Sequence, residues 1–490
     1  MKTRMRLPAW KRRTCGARFR LATLGMLAAG VPSMAAHAEA PGMSLLEALA
    51  QTYDSNPRLL AARARLRQSD ETVPQALAGW RPHVSVTGQI GPGVYQNRVD
   101  TLHYPEHRTP QDYQLTATQT LYASGRVSDA VAQARTRVLA QRSMLLASEA
   151  QALLAAGAAY LDVVRDREIV ELDRNQEAVL ARTLRANSVE LAAGNIAQAD
   201  LSQSEARLAR QKAATASATA AVSASEAAFE EAVGVRPGLL VLPNSDFTIP
   251  RTETEALSRA MEANPDLLAA RHTMDASRLG VDIERDNLLP LVTLNGLLER
   301  QRQYEYDLYS QSVNIAQVTV QVTVPLYQGG FQFARIREAK QRDIEEQDLV
   351  EQASRDATRQ VRTSWASLLA GRERVDEGAR AIQADKLAER GLAEQQQVGA
   401  RTTIDLLNAE QETLASEVSE ITARTDLLLG ELMLLEVTGG LTLQQLDGSH
   451  PVYDPKTHYR AVHAQWAGET PPKDSRIWPH EAPQPGDIGR

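Results

Sequence analysis

Cysteine is almost absent from this 490-residue chain: the single one, Cys15, lies within the first 38 residues. Beyond that segment there is no thiol chemistry and no disulfide, whatever the compartment. Aromatic residues are also scarce, at 4%, too few for the two or three globular cores that this length would ordinarily fill. After the N-terminal segment no stretch reads as the roughly 18 to 20 apolar residues of a membrane helix, so a membrane crossing has to be made by strands. There is no Gly-rich phosphate loop, no nucleophile–base set and no strong metal-ligand spacing. An enzyme has almost nothing to stand on, and no cofactor is implied. Positive charge is in deficit too. The formal net charge is −7, and falls to −15 once the eight basic residues of 1–38 are removed, which disfavours nucleic acid as a partner.

What is present begins with an export signal. Lys2, Arg4, Arg6, Lys11, Arg12, Arg13, Arg18 and Arg20 precede an apolar run from Leu21 to Val31, and Ala36-His37-Ala38 supplies small residues for a cut before Glu39. Arg12-Arg13 is poorly continued by Thr14-Cys15-Gly16 as a twin-arginine signal. Cys15 precedes the apolar run, so it is not the acylated cysteine of a lipoprotein.

The chain then reads twice. Val318, Val320, Val322 and Val324 alternate with Thr319, Gln321 and Thr323, which is a strand. Pro325 removes a ladder donor, Gly329-Gly330 allows a sharp turn, and a helical period then runs for some sixty residues. A fainter copy spans Gln114 to Arg135, with Tyr122 on Tyr327 and Gly125 on Gly330. These two switches join a strand to a very long helix. Upstream, Asn56-Pro57-Arg58-Leu59-Leu60-Ala61-Ala62-Arg63 matches Asn264-Pro265-Asp266-Leu267-Leu268-Ala269-Ala270-Arg271 at an offset of 208, and Pro82 matches Pro290. After the loops the offset is 205: Gly125 on Gly330, Gly194 on Gly399, Asp200 on Asp405, Gly234 on Gly439. Each half therefore predicts a helix, a β-hairpin, a long helix ending at a tip turn (Gly194, Gly399) and a second helix. The predicted segments are 1–38 signal, 39–238 first repeat, 239–440 second repeat with its linker, and 441–490 a Pro-rich strap ending in disorder.

Each repeat supplies two strands, and four strands leave two unpaired edges. In lipid such edges are prohibitive, so the sheet has to close, most simply through copies of the same chain.

P-L-Y-Q-G-G at 325–330, V-G-A-R-T-T-I-D-L-L-N-A at 398–409 and the duplicated N-P-x-L-L-A-A-R together make the chain resemble the TolC family of outer-membrane efflux and secretion ducts, over roughly Leu45 to Leu441. The resemblance implies a mainly α, mixed fold: a homotrimer with a twelve-stranded transmembrane β-barrel continued by a long periplasmic α-helical barrel. It also implies outer-membrane lipid around the barrel, and docking through a periplasmic adaptor onto an inner-membrane pump of the RND, ABC or MFS class. The duct would serve tripartite efflux or type I secretion, opening at its periplasmic tip. The rival from another class is a trimeric coiled-coil stalk with a membrane anchor, which calls for one continuous heptad seam.

Asp200, Arg401 and Asp405 read on their own as solvated charges at helix starts, where an acid suits the dipole. The resemblance implies more: Arg401 would pair with Asp200 to hold the tip closed, and Asp405 would form an acidic ring favouring cations. Two positions depart from the best-known relatives, with Asn408 in place of a second acid and Gln396 in place of a tyrosine. That implies a less negative ring and a weaker latch. His103-Tyr104-Pro105-Glu106-His107 formally fits the H-x-x-E-H zinc pattern, but that chemistry needs one helical face, and Pro105 sits in a predicted loop. Tyr95, Tyr104, Tyr113, Tyr304, Tyr306 and Tyr309 read either as loop packing or as an interfacial aromatic girdle.

Overall fold

The computed structural model describes residues 42–95, 106–244, 247–305, 310–398 and 400–468, and these belong to a single compact unit. The export segment, Gly399, Tyr104, Tyr306, Tyr309 and the tail from 469 lie outside the described residues. Three helices open the chain, α1 (Leu45–Ser55), α2 (Pro57–Asp70) and α3 (Thr72–Leu77). Strands β1 (His83–Ile90), β2 (Gly93–Tyr95) and β3 (Glu106–Tyr122) follow, then helices α4 (Arg126–Ala192) and α5 (Gln198–Val233). The second half repeats the plan with α6 (Glu253–Ala263), α7 (Pro265–Asp286), β4 (Leu291–Glu305), β5 (Ser310–Thr323), α8 (Phe331–Gln397) and α9 (Thr403–Val437). Short helices α10 (Leu443–Leu446) and α11 (Thr457–Val462) end the described chain. Helices α4 and α8 are each 67 residues, rods of about 100 Å at 1.5 Å per residue. Their starts and ends differ by 205 in number, the spacing carried by the motifs.

The repeated Asn-Pro has a physical reason. Proline at the first helical position needs no hydrogen-bond partner. Asn56 Oδ1 accepts from Arg58 N–H at 2.9 Å and caps α2, while its Nδ2 donates to Ala232 O at 3.0 Å at the end of α5. Asn264 does the same, accepting from Leu267 N–H and donating to Val437 O, both at 2.9 Å. One side chain thus closes the start of one helix onto the end of another in each repeat.

The strands form one antiparallel sheet in the order β1-β3-β4-β5, with β2 continuing β1 along β3. The hairpins are joined by β3 against β4, which leaves β1 and β5 as edges within the chain. The register aligns the apolar positions. Val84 stands opposite Ala117, Ala117 opposite Gly296 and Gly296 opposite Val318; one step outward the row is Val86, Leu115, Leu298 and Ala316. One face of the sheet is therefore an apolar band, and Val84, Val86, Val318, Val320 and Val322 on it are all exposed. The other face carries Ser85, Thr87, Thr116, Thr118, Asn295, Thr319 and Gln321.

One boundary and one hydropathy reading differ from what the sequence predicts. Strand β3 starts at Glu106, ahead of the Gln114 at which the copy begins in the sequence, because the pairing of β2 and then β4 extends it past the hydrophobic alternation. Glu106 and His107 are consequently successive residues of a strand rather than of the helix that H-x-x-E-H requires, and His103, Tyr104 and Pro105 lie outside the described residues. Helix α4 also contains an 18-residue window with mean hydropathy 1.3, long enough to cross a membrane, contrary to the sequence reading; 61% of it is buried inside the protein. It is alanine-rich and packs in the core with Leu153, Ala156 and Tyr160.

The core lies where α1, α2, α4, α5 and α9 meet, around Tyr160 and Phe229 with ring centroids 6.3 Å apart. The segment after Leu441 runs back over the first repeat. Leu443 N–H donates to the buried Glu149 carboxylate at 3.0 Å, Tyr453 N–H donates to Tyr53 Oη at 2.9 Å, and the Arg63 guanidinium lies over both tyrosine rings. Burial pushes the Glu149 carboxyl up, against the opposing pull of that N–H and of Arg63. Farther on, His458 Nδ1 lies 3.1 Å from Asp70 Oδ2 and its Nε2 3.7 Å from Glu71 Oε1, with His458 and Asp70 buried. Removing one partner of a buried pair leaves the other uncompensated, at about 3 kcal/mol. His458→Ala is expected to free this strap, read as faster tryptic cleavage at Lys456 and Arg460; cleavage at the wild-type rate would show that the pair does not hold it.

Candidate functional site at the helical tip

The two long helical pairs, α4 with α5 and α8 with α9, turn back at the same end. In the first turn Gly194 has φ +83°, and Asn195 N–H donates to Glu190 O at 2.9 Å, a 6→1 closure. Its counterpart in the second turn is Ala400 N–H to Gln395 O, also 2.9 Å. Helices that fold back in this way do not give the continuous seam of a stalk.

Asp405 sits in the first turn of α9. Its Oδ2 accepts from Thr402 N–H at 3.1 Å and from Thr402 Oγ1 at 2.9 Å, while Thr402 Oγ1 accepts from Asp405 N–H at 3.2 Å. This is a reciprocal capping box. The Thr402 backbone N–H, the Thr402 hydroxyl and the nearby Arg401 charge hold the Asp405 carboxyl below its ordinary value. Asp200 is placed alike at the start of α5, but Ala197 has no side-chain acceptor, so only the return bond forms, from Ala197 N–H to Asp200 Oδ2 at 3.2 Å. Within the chain Arg401 does not meet Asp200: its Nε donates to Gln395 Oε1 at 3.4 Å.

Asn408, one turn along α9, accepts at Oδ1 from Arg207 Nη2 of α5 at 2.6 Å. Arg207 is a tip residue that the sequence reading missed. It lies seven positions after Asp200 on the same helix, but nothing in the sequence joins it to a residue 201 positions away. Beneath this contact Leu180, Leu208 and Leu407 form a small buried cluster, so α4, α5 and α9 are bound together near the tip. Asn187 Nδ2 donates to Ser204 Oγ at 2.7 Å between α4 and α5. Farther from the turn a cleft of about 520 Å³ opens between α4, α8 and α9, lined by Gln176, Lys386, Glu389, Glu410 and Glu417 among others. Burial, then the neighbouring Glu389, pushes the Glu410 carboxyl up.

At the opposite end of the long helices stand the strand-to-helix switches. Strand β5 stops at Thr323, before Pro325, and Gly329 and Gly330 take φ of +63° and +83°. In the first repeat Ser124 and Gly125 do the same, at +50° and +98°. Ser124 Oγ donates to Pro290 O at 2.7 Å, a bond that holds the serine in the left-handed region. Tyr122 and Tyr327 are exposed at this level.

The family model described as "Outer membrane efflux protein" matches residues 48–235 and 256–440. The chain belongs to this family. It is 31% identical over 430 residues to the outer membrane efflux protein BepC of Brucella suis, covering 87% of this chain and 91% of that one. It is 26% identical to the outer membrane protein TolC of Vibrio cholerae, covering 82% and 92%. Among solved structures the Campylobacter jejuni CmeC outer membrane channel matches with a TM-score of 0.74 at 14% identity, covering 86% and 89%, a likeness of fold. The protein is an outer-membrane exit duct, of a family of channel proteins.

Proposed function

We propose that three copies of this chain close a twelve-stranded barrel, continued below the membrane by a barrel of twelve long helices. The observation that carries this reading is the sheet itself. It has an apolar band on one face, a polar one on the other and two unsatisfied edges, β1 and β5, that only another copy can pair in lipid. The long helices project from one end of the sheet and the hairpin loops from the other, so the helices lie in the periplasm. Near their turns Arg401 and Asp200 of neighbouring copies are paired, and Asp405 forms a ring at the narrowest point. A periplasmic adaptor and an inner-membrane pump part the tip helices, and the duct itself does no chemistry. Efflux of small molecules and type I secretion of a protein both fit; a deletion strain assayed for lost resistance against lost export separates them.

The test is direct. Full-length protein extracted in mild detergent is expected to have three times the chain mass by light scattering and to form ion-conducting channels in planar bilayers. Monomeric material that never conducts would end the proposal.

A further inference from the structure

The outward end of the apolar band carries two arginines that the duct reading does not use. On β4, Leu294, Gly296 and Leu298 face the apolar side, and the next two residues of the same parity are Arg300 and Arg302. Arg300 stands opposite Tyr113 on β3 and Asn314 on β5; Arg302 stands opposite Gln111 and Ser312. The acids of this region have the other parity. Glu299 pairs with Gln114 and Ile315, and Asp112 with Gln89 and Gln301, all on the opposite face. Strand alternation thus separates the charges, guanidiniums on the apolar side and carboxylates on the polar side.

Height along the membrane places these arginines. From Val324, the last of the alternating valines, to Asn314 is ten steps along the chain. At about 3.3 Å per residue and a tilt of about 40°, that is about 25 Å along the membrane normal, the height of the hydrocarbon band of such a barrel. Arg300, paired with Asn314, therefore sits at the outer hydrocarbon boundary, with exposed Tyr113 directly across from it. Arg302 lies about 5 Å farther out, in the headgroup layer. Among the described residues no acid shares their face of the sheet, which leaves lipid as the partner at that depth.

We propose that Arg300 and Arg302 form a binding site for the phosphate groups of a phosphorylated glycolipid of the outer leaflet, whose acyl chains lie along Leu298, Leu115 and Ala316. Guanidinium forks match phosphate oxygens in geometry as well as charge. The Tyr113 ring and the aliphatic stems of the arginines cover the glycolipid's first methylenes. The site rests on the barrel reading, because it takes the apolar face to be the lipid face.

The probes are lipid A bearing two phosphates and the same lipid A dephosphorylated, each titrated onto the full-length protein in detergent. Wild type is expected to bind the phosphorylated form at least about tenfold more tightly, since charge-assisted guanidinium–phosphate hydrogen bonds are lost with the phosphates. The double variant Arg300→Gln, Arg302→Gln is expected to bind both forms equally, and Arg300→Lys, Arg302→Lys to keep part of the preference. Wild type that does not discriminate, or a glutamine variant that still does, overturns the site. Planar-bilayer conductance of the same preparations separates the two readings: wild type that conducts without discriminating overturns the glycolipid site alone. Wild type that does not conduct overturns the barrel and the site together.

Discussion

Gly439→Val is expected to destabilise the protein by about 4 kcal/mol or more, whereas Gly234→Val, at the equivalent position of the first repeat, is expected to cost only about 1 to 2 kcal/mol. Both glycines end a helix in the left-handed region, with φ of +72° and +88°. A β-branched residue pays the same conformational penalty at either. The surroundings differ. A Cβ at Gly439 would run into the carbonyl oxygen of Ala263, the last residue of α6, with the carbonyl carbon at 2.9 Å and the Ala263 Cβ at 3.2 Å. Backbone cannot swing aside as a side chain can. It is also held: Asn264 Nδ2 ties the next residue to Val437 O, and Gly440 N–H closes α9 on Leu435 O at 2.7 Å. At Gly234 the nearest atom is Ser55 Oγ at 3.3 Å, a hydroxyl bonded to Gln51 O and Val233 O that can turn about one side-chain bond, as a backbone carbonyl cannot. Thermal unfolding of the two variants in detergent measures the difference. Equal loss would show that the turn, and not the close approach to α6, sets the requirement.

Asp405→Asn is expected to lower the preference of the channel for potassium over chloride about five- to tenfold, because on the proposed trimer it removes one negative charge per copy from a narrow water-filled ring. Asparagine keeps an oxygen for the Thr402 N–H and so preserves much of the cap; Asp405→Ala removes cap and charge together. The carboxyl is held below its ordinary value by the Thr402 backbone N–H and hydroxyl and by the Arg401 charge, so it is ionised at pH 5 and above. Cation preference is therefore expected to be flat between pH 7 and pH 5. The sign for stability is the same: the contribution of the cap is present above the unfolded-state value and lost only as acid carries the pH down through the depressed folded-state value. Arg207→Gln should shift selectivity the other way, since it removes a positive charge beside Asn408. Bilayer reversal potentials read both variants, and an unchanged potential for Asp405→Asn would remove Asp405 from the constriction.

Much of the helical architecture is legible in the residues themselves. The offset of 205 between Gly125 and Gly330 reappears in both ends of α4 and α8, because an inserted residue turns a helical face by about 100° and a packed helix does not tolerate it. The tip is only half legible. Asp200 and Asp405 announce helix starts by type and position, while Arg207 carries no local sign of its bond to Asn408. The switches show a similar limit. Gly329-Gly330 declares a positive φ, yet Ser124 reaches one through a hydrogen bond to Pro290, a residue from the other repeat. His458 gives no hint that it closes on Asp70.

By itself the sequence determined the duplication, the alternation of strand faces, the helix lengths and the Asn-Pro helix starts, all set by periodicity and by preferences within a few residues. Tertiary structure alone decided that β3 joins β4, that the apolar rows of both hairpins come into line, and that Arg300 and Arg302 share a face with the apolar rows of β3 and β5 while Asp112 of β3 does not. Those outcomes depend on the register between strands some 180 residues apart in the chain. A single-residue slip would turn every side chain of a strand to the other face, and only the packed neighbours prevent it.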